Sequence, residues 1–179
     1  DDMSLNIEAV KKFYTKYHSQ PNIIFGFTYL IWDKFSNNKH LIDSKFNLEK
    51  SVLLHGGGWK KLKKKNISNK NFKNILNSKF NIKNVINYYG LVEQTGSIFF
   101  ECNKCENFVT SIFSDVFIRD KNFNDLGKKK RGMIQLLSVL PTSYPGHNIL
   151  TEDVGMITGE DTCACGKKGK YFKVYDRLE

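Results

Sequence analysis

Arginine is scarce in this chain: of 28 cationic residues only Arg119, Arg131 and Arg177 are arginines, and the rest are lysines. Specific readers of nucleic acid rely on the bidentate arginine fork. A formal net charge of +10, accompanied by abundant asparagine, therefore reads as a solvated, Lys- and Asn-rich surface and argues against nucleic acid as the partner. The sequence also lacks any run near the ~18 apolar residues that a membrane-spanning helix needs, and Asp1-Asp2-Met3 has no signal-peptide character. A cytoplasmic protein without a membrane span is the expectation. Internal repeats and low-complexity linkers are missing as well, while 40% hydrophobic and 13% aromatic residues are ample for a real core. The opening runs almost directly into a helical pattern, and the chain stops at Asp176-Arg177-Leu178-Glu179 just after a strand-like run. From this we expect a piece of a longer protein.

The first half alternates helix and strand. Asn6 is a cap for a helix with apolar positions Ile7, Val10, Phe13, Tyr14 and Tyr17, and Pro21 forbids its continuation. Ile23–Phe27 reads as a strand, with Thr28 capping a second helix through Phe35; Ser51–His55 reads as the next strand, stopped by Gly56-Gly57-Gly58. Ser68 then caps a helix carrying Phe72, Ile75, Leu76 and Phe80, which leads into Val85-Ile86-Asn87-Tyr88. Strands separated by helices predict parallel pairing through right-handed crossovers. After residue 97 the pattern changes to strand-like runs at Ile98–Cys102, Val109–Ile118, Met133–Leu140, Val154–Thr158 and Tyr171–Tyr175, joined by turns such as the basic, solvated hairpin Gly127–Gly132. The predicted fold class is α/β: a parallel βαβ portion (residues 1–97) followed by an antiparallel β-rich portion (98–179) with cysteine zinc knuckles, the two forming one fragment rather than independent domains.

Two glycine turns sit at the ends of successive strands: His55-Gly56-Gly57-Gly58-Trp59 and Tyr89-Gly90-Leu91-Val92-Glu93. Glycines let backbone approach a flat ligand, Trp59 or Tyr89 offers a stacking face, and Glu93 can bind a cation. The plainer reading is a surface glycine loop and a solvated Glu. Asp153, in Leu150-Thr151-Glu152-Asp153-Val154-Gly155, closes a short extended segment where one carboxylate can accept from two adjacent hydroxyls, as on a ribose; an acidic turn is the alternative. His55 reads as a hydrogen-bonded strand-end histidine. Ser143-Tyr144-Pro145-Gly146-His147 reads as a Pro-Gly turn with His147 exposed and no chemistry assigned. The dense patch Lys60-Lys61-Leu62-Lys63-Lys64-Lys65 can border a phosphate-bearing ligand.

Four cysteines fall as two close pairs, Cys102-x-x-Cys105 and Cys163-x-Cys165. In a reducing compartment this favours a structural four-thiolate zinc site over disulfides, with thiolates at ~2.3 Å from the metal. Free buried cysteines are the other reading.

Taken in order, His55-Gly56-Gly57-Gly58-Trp59-Lys60, Asn87-Tyr88-Tyr89-Gly90-Leu91-Val92-Glu93-Gln94-Thr95-Gly96-Ser97, Ser143-Tyr144-Pro145-Gly146-His147 with Leu150-Thr151-Glu152-Asp153, and Cys165–Phe172 resemble the acyl-protein synthetase family. That family includes the long-chain-fatty-acid protein ligase of bacterial luciferase operons and lies in the adenylate-forming superfamily beside the phenylacetate-CoA ligases. The resemblance covers essentially the whole chain. It implies ATP-dependent activation of a carboxylic, here fatty, acid to an acyl-adenylate, followed by transfer to the thiol of a protein or carrier. It places Tyr89 and Gly90 against adenine, Glu93 as the catalytic residue holding Mg²⁺, Asp153 on the ribose hydroxyls and Gly56, Gly57 and Gly58 along the adenine and acyl side. Arg177 resembles the superfamily's motif arginine, although Asp176 stands where many members have Gly. The superfamily's Ser/Thr/Gly-rich phosphate loop and its C-terminal lid with a catalytic lysine are not in this sequence. The resemblance therefore implies part of the large N-terminal, nucleotide-binding domain of an adenylate-forming enzyme, inactive alone. An acyl-CoA ligase shares the first half-reaction and is the nearest alternative; a zinc-ribbon module contacting nucleic acid or an acidic carrier is the alternative from a different class.

Overall fold

The computed structural model describes residues 4–58 and 67–178. The chain divides into two compact units, Asp1–Asn87 and Tyr88–Glu179.

In the first unit, helix α1 (Ile7–Tyr17) starts where the Asn6 side chain accepts the Ala9 N–H at 2.9 Å. Strand β1 (Asn22–Phe27) pairs in parallel with β2 (Ser51–Gly56), in register from Asn22 opposite Ser51 to Phe27 opposite Gly56. Between them Thr28–Leu30 forms a short helix α2 that widens into a π-helical stretch, Ile31–Ser36. Thr28 is therefore the first helical residue rather than its cap, because its hydroxyl is already bonded to the end of β2. A further helix, α3 (Lys39–Asp43), is capped by Asn38 and buries Leu41 completely. Helix α4 (Asn69–Phe80) begins with the Ser68 side chain accepting the Asn71 N–H, and ends at Asn81 in the left-handed conformation. Its stripe Phe72, Leu76 and Phe80 is fully buried against Leu41, Leu53, Ile82 and Val85. Each such side chain contributes about 1.5–3 kcal/mol by leaving water. Strand β3 (Asn84–Tyr89) lies beside β2.

The last two residues of β3 belong to the second unit, where Tyr88 and Tyr89 pair antiparallel with β4 (Phe99–Phe100). The remaining strands are β5 (Phe108–Val109), β6 (Ser114–Arg119), β7 (Gly132–Ser138), β8 (Asn148–Glu160) and β9 (Lys170–Arg177), in the order β5-β9-β8-β7-β6. The single run expected over Val109–Ile118 is two strands at opposite edges of this sheet. A turn splits it, with the Ser114 N–H donating to the Ser111 carbonyl and the Phe113 N–H to the Ser111 hydroxyl. The basic Gly127–Gly132 hairpin is tied down more than expected: Lys129 N–H donates to the Ile157 carbonyl and Lys128 pairs with Glu160 at 2.8 Å. Alternating positions of β6 and β7 (Val116, Ile118, Ile134, Leu136) join Phe99, Ile157 and Phe172 in the core. Among the described residues no helix is long and apolar enough to cross a membrane.

Candidate functional site

The end of β2 is built from inward-turned polar groups. Thr28 Oγ1 donates to the Gly56 carbonyl at 3.1 Å, which leaves it to accept from His55 Nδ1 at 2.9 Å. His55 is 2% exposed, its ring meets Phe72 edge-on at 4.9 Å, and its Nε2 is buried with no hydrogen-bond partner among the described residues. Burial, assisted by the charge of Lys73, lowers its pKa to about 4. The imidazole stays neutral near pH 7 and holds the chain, as the strand-end reading expected. Gly56 is buried, while Gly57, at φ 73°, and Gly58 are exposed. Trp59 and the lysine patch Lys60–Lys65 lie outside the described residues.

In the second unit Tyr89, Asp153 and Arg177 come together. Asp153 lies inside the long strand β8 and not at the end of a short segment, which corrects the sequence reading. Strand β8 continues through it because the Thr151 hydroxyl accepts the Asp153 N–H at 3.1 Å and donates to the Ile134 carbonyl at 2.9 Å. Two residues on, Gly155 passes so close that a Cβ there would stand 2.6 Å from Ile134 Cδ1 and from the Lys173 carbonyl. Strand register sets Asp153 opposite Arg177. Tyr89 Oη donates to Asp153 Oδ2 at 2.7 Å, and Arg177 Nε donates to Oδ1 at 3.3 Å. The Tyr89 ring is wedged among Phe99, Phe108 and Phe172, with centroids 5.8–6.2 Å away. Burial first, and the Asp153 carboxylate second, push its phenol well above the usual range, so it remains a donor. A carboxylate offers about four lone-pair sites; with Tyr89 and Arg177 bound to Asp153, two are left for a ligand.

Glu93 is on the short 3₁₀ turn Val92–Gln94 and is exposed, with no hydrogen bond or ion pair to its carboxylate among the described residues. Gly90 is exposed as well, and a Cβ there would lie 3.2 Å from the Ser97 carbonyl. Gln94, next in sequence, is 1% exposed and donates to the Gly146 and Leu136 carbonyls at 2.9 and 3.3 Å, leaving its Oε1 buried and unpaired among the described residues. Such an orphaned acceptor costs about 1–3 kcal/mol, so the two bonds it makes matter to this turn. Neither this Gln nor the Tyr89–Asp153 bond follows from spacing, since the partners are distant in sequence and lie on different strands.

The cysteines gather from two loops, one between β4 and β5 and one between β8 and β9. The sulfurs of Cys102, Cys163 and Cys165 all lie within 4.8 Å of one another, and Cys105 packs against the same small cluster with Val109 and Tyr171. Cys102 and Cys163 sulfurs are 3.7 Å apart. That is far beyond a disulfide, and close to the ~3.8 Å edge of a tetrahedron with ~2.3 Å metal–sulfur bonds. Backbone N–H groups two residues on point at the sulfurs: Lys104 to Cys102 at 3.4 Å, Cys165 to Cys163 at 3.5 Å and Lys167 to Cys165 at 3.4 Å. Burial opposes ionisation of Cys102, but the Lys104 and Cys105 N–H groups and the neighbouring thiols bring its pKa to about 6. The Cys165 N–H pulls Cys163 down, yet the surrounding thiols and burial push it up to about 12. The loops thus favour a thiolate at Cys102, the form that binds metal. The donor set and its spacing fit zinc.

The sequence matches the family described as "Acyl-protein synthetase, LuxE" over residues 2–179. The chain belongs to that family. Comparison with curated protein sequences returns no match. Among solved structures, this synthetase-family chain is similar to the luciferase-like enzyme of the nonluminescent mealworm Zophobas morio, at 17% identity and a TM-score of 0.64, over 98% of this chain and 42% of that one. It is also similar to ATP-bound MatB from Rhodopseudomonas palustris, at 11% identity and a TM-score of 0.63, over 97% and 33% of the two chains. A long-chain-fatty-acid-CoA ligase, FadD1 of Archaeoglobus fulgidus, matches at 12% identity with a TM-score of 0.64, over 97% and 37%. The fold is that of part of the adenylate-forming enzymes, and the chain spans 33–42% of the length of these three. As expected, an α/β portion with parallel pairing precedes an antiparallel one.

Proposed function

We propose that this chain is part of an enzyme that uses ATP to activate a carboxylic acid, in this family a fatty acid, and passes the acyl group to the thiol of a protein or carrier. The carboxylate oxygen would attack the α-phosphorus of ATP as the bond to pyrophosphate breaks; the acceptor thiolate would then attack the acyl carbonyl and release AMP. The single observation that carries this reading is the Asp153 carboxylate fixed by Tyr89 and Arg177, in a chain of this family, with two acceptor sites left for a pair of ribose hydroxyls. The half-buried ring of Tyr89 would lie beside adenine, with Gly90 exposing backbone there; in the first unit, the Gly56, Gly57 and Gly58 turn would offer backbone to a ligand. Arg177 would hold Asp153 and offer charge to the nucleotide. Glu93, exposed and unpartnered among the described residues, would hold Mg²⁺, which neutralises phosphate charge as it develops. Such transfers need positioning and charge compensation more than covalent help from the protein.

Cys102, Cys105, Cys163 and Cys165 would hold a structural zinc, tying the β4–β5 loop to the β8–β9 hairpin. A closed four-thiolate site has no open position for chemistry. Free thiols kept for metal suit a reducing, cytoplasmic setting. Purified protein should contain one zinc per chain by metal analysis, with loss of thermal stability on chelation; metal-free protein of unchanged stability would remove the site.

For the activity, the 179-residue chain should bind nucleotide weakly without supporting ATP–pyrophosphate exchange, and a longer enzyme carrying it should form an acyl hydroxamate from fatty acid, ATP and hydroxylamine. An Asp153→Ala enzyme that still forms hydroxamate at the parental rate and nucleotide concentration would contradict the reading.

A further inference from the structure

The Ser143–His147 turn has no role in the proposed chemistry, yet it is fastened to the two residues that follow Glu93, Gln94 and Thr95. Gly146 is buried, and its carbonyl accepts from the Gln94 side chain at 2.9 Å. Tyr144 Oη accepts the Thr95 N–H at 2.8 Å. The approach is so close that a Cβ on Gly146 would stand 2.9 Å from the Glu93 carbonyl oxygen and 2.4 Å from the Tyr144 ring. The turn is stiff in itself, because the Gly146 N–H donates back to the Tyr144 carbonyl at 2.8 Å and the Ser138 N–H donates to the His147 carbonyl at 2.9 Å. From the other side Thr95 Oγ1 donates to the Val92 carbonyl at 3.1 Å, closing the 3₁₀ turn on itself. Every one of these contacts grips the main chain or Gln94, and none reaches the Glu93 carboxylate.

We propose that Tyr144, Gly146 and Gln94 form a positioning brace that fixes the backbone of Glu93 so that its free carboxylate is presented to Mg²⁺ in one orientation. This rests on the reading of Glu93 as the magnesium residue. A cation such as Mg²⁺ tolerates little error in ligand placement, and an exposed glutamate side chain alone is floppy. Holding the main chain while leaving the carboxylate unbonded restricts where the oxygens can go without neutralising them. The brace residues act through Glu93 and touch no reacting atom.

The experiment uses the full chain: ATP-dependent binding of Mn²⁺, a spectroscopic substitute for Mg²⁺, is read by electron paramagnetic resonance, and backbone amide exchange is followed by NMR in separate samples without Mn²⁺. Tyr144→Phe removes one hydroxyl and keeps the ring. It should speed exchange of the Thr95 amide by tenfold or more and weaken ATP-dependent Mn²⁺ binding by about three- to tenfold, the loss expected for one hydrogen bond. Affinity for ATP in EDTA should change by less than twofold. Gly146→Ala should do the same more strongly, and the exchange rates of Ile134 and Leu136 report whether the sheet stays folded. Unchanged Thr95 exchange in Tyr144→Phe would overturn the brace and leave the magnesium reading intact. So would equal losses of Mn²⁺ and metal-free ATP binding, which would mark a merely structural role, or faster exchange with undiminished Mn²⁺ binding. If the parent chain shows no Mn²⁺ binding that Glu93→Gln abolishes, the magnesium reading itself fails and the brace falls with it, whatever the exchange rates.

Discussion

His55 at the end of β2 and Asp153 in β8 are both polar groups fixed by hydrogen bonds, but they are used differently. His55 is 2% exposed, bonded to Thr28 and packed on Phe72, and its depressed pKa reflects burial. Asp153 keeps 13% of its side chain exposed, takes one bond on each oxygen, and has acceptor capacity to spare. The strong shift at His55 therefore reports burial and marks no site by itself. The strongly shifted histidine is bonded and packed within the first unit, whereas the neighbours of the Asp153 carboxylate orient it and leave lone pairs over. Glu93 extends the series: its backbone is gripped and its carboxylate left to solvent.

The largest expected effect breaks the first half of this comparison. His55 has a folded pKa of about 4 against ~6.5 unfolded. Its neutral form is favoured by folding, so the stabilisation is present above pH 6.5 and is lost as pH falls from there to about 4. At 1.36 kcal/mol per unit the loss is about 3 kcal/mol. Urea unfolding of the parent chain and of His55→Gln between pH 7 and 4 measures it; a parental acid sensitivity that survives His55→Gln would place the cause elsewhere.

Much of the frame was legible. Asn6 and Ser68 precede helical stripes with no competing use for their side chains, and both cap as expected. Thr28 looked like the same signal and was not, because a tertiary partner, the end of β2, had claimed its hydroxyl. Helix α3 escaped notice since five residues give too little periodicity. The spacing of the cysteines pointed to a shared site, and the structure brings Cys102, Cys163 and Cys165 together. The candidate residues Tyr89, Glu93 and Asp153 stood out by residue type and turn chemistry and took their roles from the family resemblance, but the bond from Tyr89 to Asp153 spans 64 positions. It depends on strand order and on the Thr151 hydroxyl that carries β8 through Asp153, neither of which leaves a local pattern. Gln94 was equally hidden, a polar residue buried by contacts to a turn distant in the chain.

The two carboxylates provide the remaining and smaller effects. Asp153→Ala strands the half-buried Tyr89 hydroxyl and should cost about 2 kcal/mol of stability, in addition to its effect on nucleotide binding. Glu93→Gln, at an exposed position without partners among the described residues, should change stability by less than about 0.5 kcal/mol.

The most direct measurement titrates ATP into the parent chain, Asp153→Ala and Glu93→Gln, each with and without Mg²⁺. The account predicts that Asp153→Ala loses affinity in both conditions, while Glu93→Gln loses only the gain that Mg²⁺ brings. Equal ATP affinity for all three chains in both conditions would contradict it.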